Sequence, residues 1–261
     1  MNIAVPLPLD ILRYAALLAR IIGFLVLAPV TGSRLVPVRW RVLLAVATSV
    51  ALAAALPAHW RVPRPAGTVG LPFLAVLLGS ELLVGIMVSL FVHILFEVFA
   101  FAGHVIGINM GFAFAQQVDP TLEQQRSIMS VFMTQMLTVV FITAGGIPLL
   151  LQLAVLSIRQ LPPGTAAPAR IGMEPLLAAV GQLFATGFQL ALPIFCVTLL
   201  INVALGLMTR FGQDFEVLML AFPVRIAVGF FVMTATVPVW VHLAARLTRR
   251  MFHQVGTLLQ A

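Results

Sequence analysis

The chain has 261 residues, 61% of them hydrophobic and only 9% charged; a water-soluble domain carries roughly a quarter charged residues, so an ordinary cytosolic protein is excluded. A mean hydropathy of +1.11 and apolar runs near the about 20 residues that cross the hydrocarbon layer as a helix point to a bilayer or a hydrophobic assembly. The net charge of +7 comes from 15 arginines, with no lysine, against 8 acids; the arginines stand singly or in pairs beside apolar runs, as headgroup anchors do, and no basic run with interleaved aromatics offers a groove for nucleic acid.

Punctuation by Pro, Gly and charge predicts six helical segments, near 10–30, 39–56, 71–102, 128–158, 174–209 and 217–250. Strands are excluded because nothing alternates at period two for long enough to build a membrane barrel. The first segment has a weak signal-peptide look, with Arg13 and Arg20 ahead of IIGFLVLA, but Pro29 follows at once and no A-x-A pattern appears, so it reads as a retained helix. The last four segments run to about 30 residues or more, at least ~45 Å, which exceeds the hydrocarbon thickness and requires them to tilt, break or leave the membrane. Pro193 and Pro223 fall inside two of them, where each is expected to kink or divide the helix. Arg20, Glu81, Glu97, Asn202 and Arg225 stand at mid-segment and should face protein or water, because each costs a few kcal/mol against lipid. Arginine counts near the connectors favour neither orientation, as expected if some hairpins pack on partner helices and never cross the bilayer.

In the third segment His93, Glu97 and His104 share one helical stripe. That spacing suits a proton relay or a two-histidine metal site, or plain polar contact inside a bundle. The last reading is favoured, since no H-E-x-x-H arrangement exists and no third ligand can be named; no metal or cofactor is expected. Cys196 is the only cysteine, which leaves no intrachain disulfide and no cysteine metal knot. No G-x-S-x-G elbow or phosphate cradle occurs, so nothing argues for an enzyme.

Gly103, Gly107 and Gly111 recur every fourth residue, a spacing that lets helix backbones approach closely in an apolar medium and equally weakens the helix toward a bent loop. Directly after them, large and small apolar residues alternate and then give way to amides and charge: Met110, Phe112 and Phe114, then Gln116, Gln117, Asp119 and Pro120. Bulky flexible side chains beside polar ones are what a dewetting constriction needs. The alternative is that they pack in a core.

Four stretches, MGFAFAQQVDP (110–120), LSIRQLPPG (156–164), ALPIFCVTLLINVALGLMTR (191–210) and AFPVRIAVGF (221–230), resemble the FliR family of flagellar biosynthesis, whose virulence counterparts are called SctT, and the likeness covers nearly the whole chain. The form with Asp119 and Pro120 is more similar to the flagellar branch. Two departures stand out: Gly145 and Gly146 replace the usual Gly-His, and FGQDF (211–215) replaces the usual Ala-Pro-Gln-x-Asn. The resemblance implies an all-α, membrane-associated export-gate subunit of long, kinked helical hairpins, one domain over 1–261 with a FliP-like part near 1–170 and a FliQ-like part over 171–261. It implies no catalysis and no cofactor. Implied partners are FliP-like and FliQ-like subunits, FlhB-like and FlhA-like components, unfolded flagellar export substrates and membrane lipid, in the bacterial inner membrane at the flagellar basal body, with part of the assembly on the periplasmic side. It places a plug loop at about 106–122, with Met110, Phe112 and Phe114 as gate residues and Gln116, Gln117 and Asp119 holding the loop by hydrogen bonds. The alternative is a secondary transporter for a small solute, which predicts inverted repeats; no convincing repeat relates the two halves.

Overall fold

The structure, a computed structural model, describes residues 9–29, 37–55, 70–112, 127–164, 174–208 and 216–260. Every regular element among them is helical: α1 (Leu9–Leu27), α2 (Val38–Ala55), α3 (Leu71–Asn109), α4 (Ile128–Thr143), α5 (Gly146–Gln160), α6 (Glu174–Met208) and α7 (Glu216–Gln260). Three of these, α3, α6 and Pro223–Thr257 of α7, are long and apolar enough to cross a membrane, and α4 with α5 makes a fourth if a bent pair counts as one span.

The helices depart from the expected segments at particular residues. The segment expected over 128–158 is two helices, because Gly145 adopts φ +81°, a left-handed conformation that other residues reach only at a cost of roughly 1–2 kcal/mol. The axis bends there by 74°. Conversely, neither Pro193 nor Pro223 divides its helix; α6 runs through the first, and α7 through the second and through Pro238. Long apolar helices tolerate proline where neighbouring groups re-satisfy the freed carbonyl. The third segment also continues past 102, so Gly103 and Gly107 are helical.

The chain forms two compact units. The first draws on residues 1–94, 145–179 and 249–261. In α1 the buried residues Leu12, Ala16, Leu17, Arg20, Ile21 and Phe24 follow the three-four spacing of a helix with one inward face, while Ile11, Tyr14, Ile22 and Val26 point outward. Leu12 packs with Leu77, Phe73 and Leu74 of α3. The second helix buries little beyond the small stripe Ala45, Ser49 and Ala53 and exposes Trp40, Leu43, Val46 and Val50.

The second unit draws on residues 95–144 and 180–248. Buried in it are Phe99 and Ile106 of α3, Met133, Leu137 and Phe141 of α4, Ile194 of α6 and Trp240 of α7. Phe96 meets Phe141 edge-on at 5.5 Å, and Phe101 meets Phe184 likewise at 5.3 Å, the geometry aromatic quadrupoles prefer. Trp240 donates its indole N–H to Leu190 O at 3.1 Å, one residue from the Gln189 carbonyl that Pro193 deprives of a helical donor. Only 22% of the most apolar window of α6 and 17% of that of α7 is buried, against 56% for α3. The exposed apolar faces of α6 and α7 therefore need lipid or partner protein to cover them.

Candidate functional site

The turn that ends α3 in the second unit is built from backbone outward. Met110 N–H donates to Ile106 O at 2.9 Å and Gly111 N–H to Ile108 O at 3.0 Å. Gly111, with φ +88°, then turns the chain where a side chain would be strained. Met110 is wholly buried and lies on Gly229 of α7: a Cβ added to that glycine would stand 2.7 Å from Met110 Cε and 2.9 Å from Cγ. Two residues past Met110 and one past Gly229, Phe112 and Phe230 form an edge-to-face pair with centroids 6.3 Å apart and planes at 85°. Two of the stretches that carry the family resemblance thus meet here, at 110–112 and 229–230. Phe114, Gln116, Gln117, Asp119 and Pro120 lie outside the described residues.

The fit at Gly229 makes a prediction. Gly229→Val should push Met110 out of its seat and destabilise the unit by about 1–3 kcal/mol, the usual cost of overpacking, read as a lowered thermal midpoint of the purified protein. Met110→Ala in the same chain should recover part of that loss.

Gly103 and Gly107 lie two turns and one turn before Gly111 on α3. A Cβ on Gly103 would come 2.5 Å from both Met129 O and Ser130 Cα, and one on Gly107 would overlap Ser127 Oγ, so α3 meets the first turn of α4 backbone to backbone. His104 is exposed, and His93 and Glu97 are partly buried. No three metal-ligating side chains come together among the described residues.

In the first unit a second polar constellation is buried. Arg20 and Glu81 form an ion pair, Nη2 to Oε2 at 2.6 Å, and Arg20 Nε donates to the same oxygen at 2.6 Å. The guanidinium also donates through Nη1 to Ser157 O at 2.9 Å and to Leu161 O at 2.6 Å, placing positive charge at the carboxyl end of the α5 dipole. Glu81 Oε1 accepts the Gly164 N–H at 2.7 Å. One planar, five-donor fork therefore ties α1 to α3 and to the LSIRQLPPG stretch. Beside it Gly23 and Gly85 let the helices touch: a Cβ on Gly23 would collide with Leu82 O, and one on Gly85 with Arg20 O.

Sequence reasoning singled out Arg20 and Glu81 as groups that must avoid lipid, and missed Gly23 and Gly85. The signal for the glycines was weak: each stands alone in an apolar run, three residues past Arg20 in one helix and four past Glu81 in the other.

The family model described as bacterial export proteins, family 1, matches residues 11–251. Among curated proteins the chain is 29% identical over 242 residues to the flagellar biosynthetic protein FliR of Escherichia coli (strain K12), covering 93% of this chain and 89% of that one. It is 29% identical to its Aquifex aeolicus (strain VF5) counterpart, covering 84% of this chain and 83% of that one. It is 26% identical to the Yop proteins translocation protein T of Yersinia pestis over 60% of each chain. With its helices matched from the first to the last, the chain belongs to family 1 of the bacterial export proteins, the FliR/SctT family of type III export components.

Proposed function

We propose that this protein is a structural and gating subunit of the flagellar type III export gate in the inner membrane, lining the pore that unfolded flagellar subunits pass. The observation that carries the reading is the seating of Met110 on Gly229 and of Phe112 on Phe230. It anchors the end of α3, with Met110 buried on Gly229 and Phe112 partly exposed beside it, where the chain leaves for residues 113–126, and bulky, flexible apolar side chains at such a place exclude water and ions at rest yet can move aside. In this reading Phe114 is a third gate residue, and Gln116, Gln117 and Asp119 hold the loop by hydrogen bonds. Gly103 and Gly107 serve as packing positions that keep α3 close to α4 behind it.

The chain acts without a catalytic step of its own, and other components supply the energy. It works with FliP-like and FliQ-like subunits, through a FliP-like part near 1–170 and a FliQ-like part over 171–261, and beside FlhB-like and FlhA-like components. Part of the assembly stands on the periplasmic side. Support comes from the family match and from the large apolar area that α6 and α7 leave uncovered.

Cells overproducing the gate with Met110→Ala, Phe112→Ala and Phe114→Ala together should leak small ions, because three bulky side chains leave the constriction. Planar-bilayer or whole-cell conductance reads the effect. Unaltered conductance with normal assembly contradicts the gating role.

A further inference from the structure

The end of α7 returns to the first unit and lies along α5. The stripes Leu149, Leu153 and Leu156 on α5 and Arg249, Phe252 and His253 on α7 face one groove of about 280 Å³, to which Gln152 adds an amide. A second, broader depression of about 520 Å³ continues from it, sharing Arg249 and His253 and adding Arg250, Gln254 and Thr257. One compartment is walled by leucine and phenylalanine and the other by two guanidinium groups and an imidazole. Arg249, Arg250 and His253 are exposed, and none of them forms an ion pair with a carboxylate among the described residues.

Position along α7 decides what such a site meets. The twenty residues 226–245 contain no Asp, Glu, Lys or Arg, and at about 1.5 Å each they span roughly the 30 Å of the hydrocarbon layer. With those residues as a span, Arg249 and Arg250 follow its end within two turns and His253 just beyond, where the phosphates of the lipid headgroups begin. Two adjacent arginines at that depth attract anionic headgroups, and an apolar groove opening beside them suits an acyl chain. A free anion would use the cations but not the leucines, and a purely apolar ligand would leave the cations unused.

We propose that this groove is a binding site for one anionic phospholipid, its phosphate held by Arg249, Arg250 and His253 and one acyl chain lying against Leu149, Leu153, Leu156 and Phe252. The proposal does not depend on the role of the turn at 110–112.

Native mass spectrometry of the full chain in its export assembly, offered phosphatidylglycerol or phosphatidylcholine with identical acyl chains, tests the proposal. The wild type should retain phosphatidylglycerol in preference, and Arg249→Gln with Arg250→Gln should cut that retention about tenfold or more, as expected when two guanidinium contacts are lost. Arg249→Lys with Arg250→Lys should keep most of the preference, and Leu153→Trp, which fills the groove, should reduce retention of both lipids. Glycerol 3-phosphate in excess should fail to displace the lipid. Equal retention of the two lipids by the wild type, retention unchanged in the double Gln variant, or displacement by glycerol 3-phosphate alone would overturn it. So would a double Gln variant that sheds a protein subunit and keeps the lipid, because the arginines would then serve an acidic protein partner.

Discussion

Glu81→Gln is expected to destabilise the first unit by about 3–5 kcal/mol, the cost of leaving one partner of a buried ion pair alone. The change is nearly isosteric and keeps an oxygen for the Gly164 N–H, so the loss reports the orphaned Arg20 charge. Arg20→Lys should cost a comparable amount for a geometric reason. An ammonium is a point charge, and it cannot reproduce a fork that reaches the Glu81 carboxylate and the Ser157 and Leu161 carbonyls together. Arg20→Met with Glu81→Leu should be less damaging than the two single losses added, since no bare charge remains, but it should not restore the wild type, because Gly164 N–H and two carbonyls lose their partners. Thermal or denaturant midpoints of the purified assembly give the order: wild type, double variant, single variants. Single variants as stable as the wild type would show that the pair is dispensable.

The second large effect is expected at Gly85. A side chain there would meet Arg20 O and stand 2.8 Å from Phe24 N, and backbone cannot swing aside as a side-chain tip can. Gly85→Val must therefore separate α1 from α3 and pull Arg20 from Glu81, adding loss of the ion pair to an overpacking cost of about 1–3 kcal/mol. Recovery of folded protein should fall severely. Gly79 on the same helix has nothing within 4 Å of a built Cβ, so Gly79→Ala should be neutral or stabilise by up to about 1 kcal/mol through helix propensity. The two substitutions share a helix and a residue type, so a difference between them isolates the close approach. Equal tolerance of both would contradict the packing described for α1 and α3.

These two sites mark what could be read in the residues and what could not. Composition and apolar run length lead directly to an all-helical membrane protein, because burial in lipid leaves few ways to satisfy the backbone. The charges on Arg20 and Glu81 were legible as costs that had to be met, but their pairing spans 61 residues, and its other partners, Ser157, Leu161 and Gly164, lie farther along still. No local period carries such a register. In the same way Met110 and Phe112 stand out as bulky groups beside small ones, while their seats on Gly229 and Phe230 come from a helix more than a hundred residues away. Helix ends were least legible where glycine and proline compete. Gly145 breaks the helix by its left-handed conformation, whereas Pro193 and Pro223 are carried through, because a proline costs one backbone hydrogen bond that packing can offset.

The uncovered apolar faces of α6 and α7 support the view that this polypeptide completes its fold against other export subunits, as a wall of their conduit. The most direct test is the mass of the intact particle after the chain is expressed with and without FliP-like and FliQ-like subunits. The account predicts recovery only within a larger assembly of fixed composition, with little folded chain when the others are omitted. A stable solitary particle that carries a small solute into vesicles would contradict it.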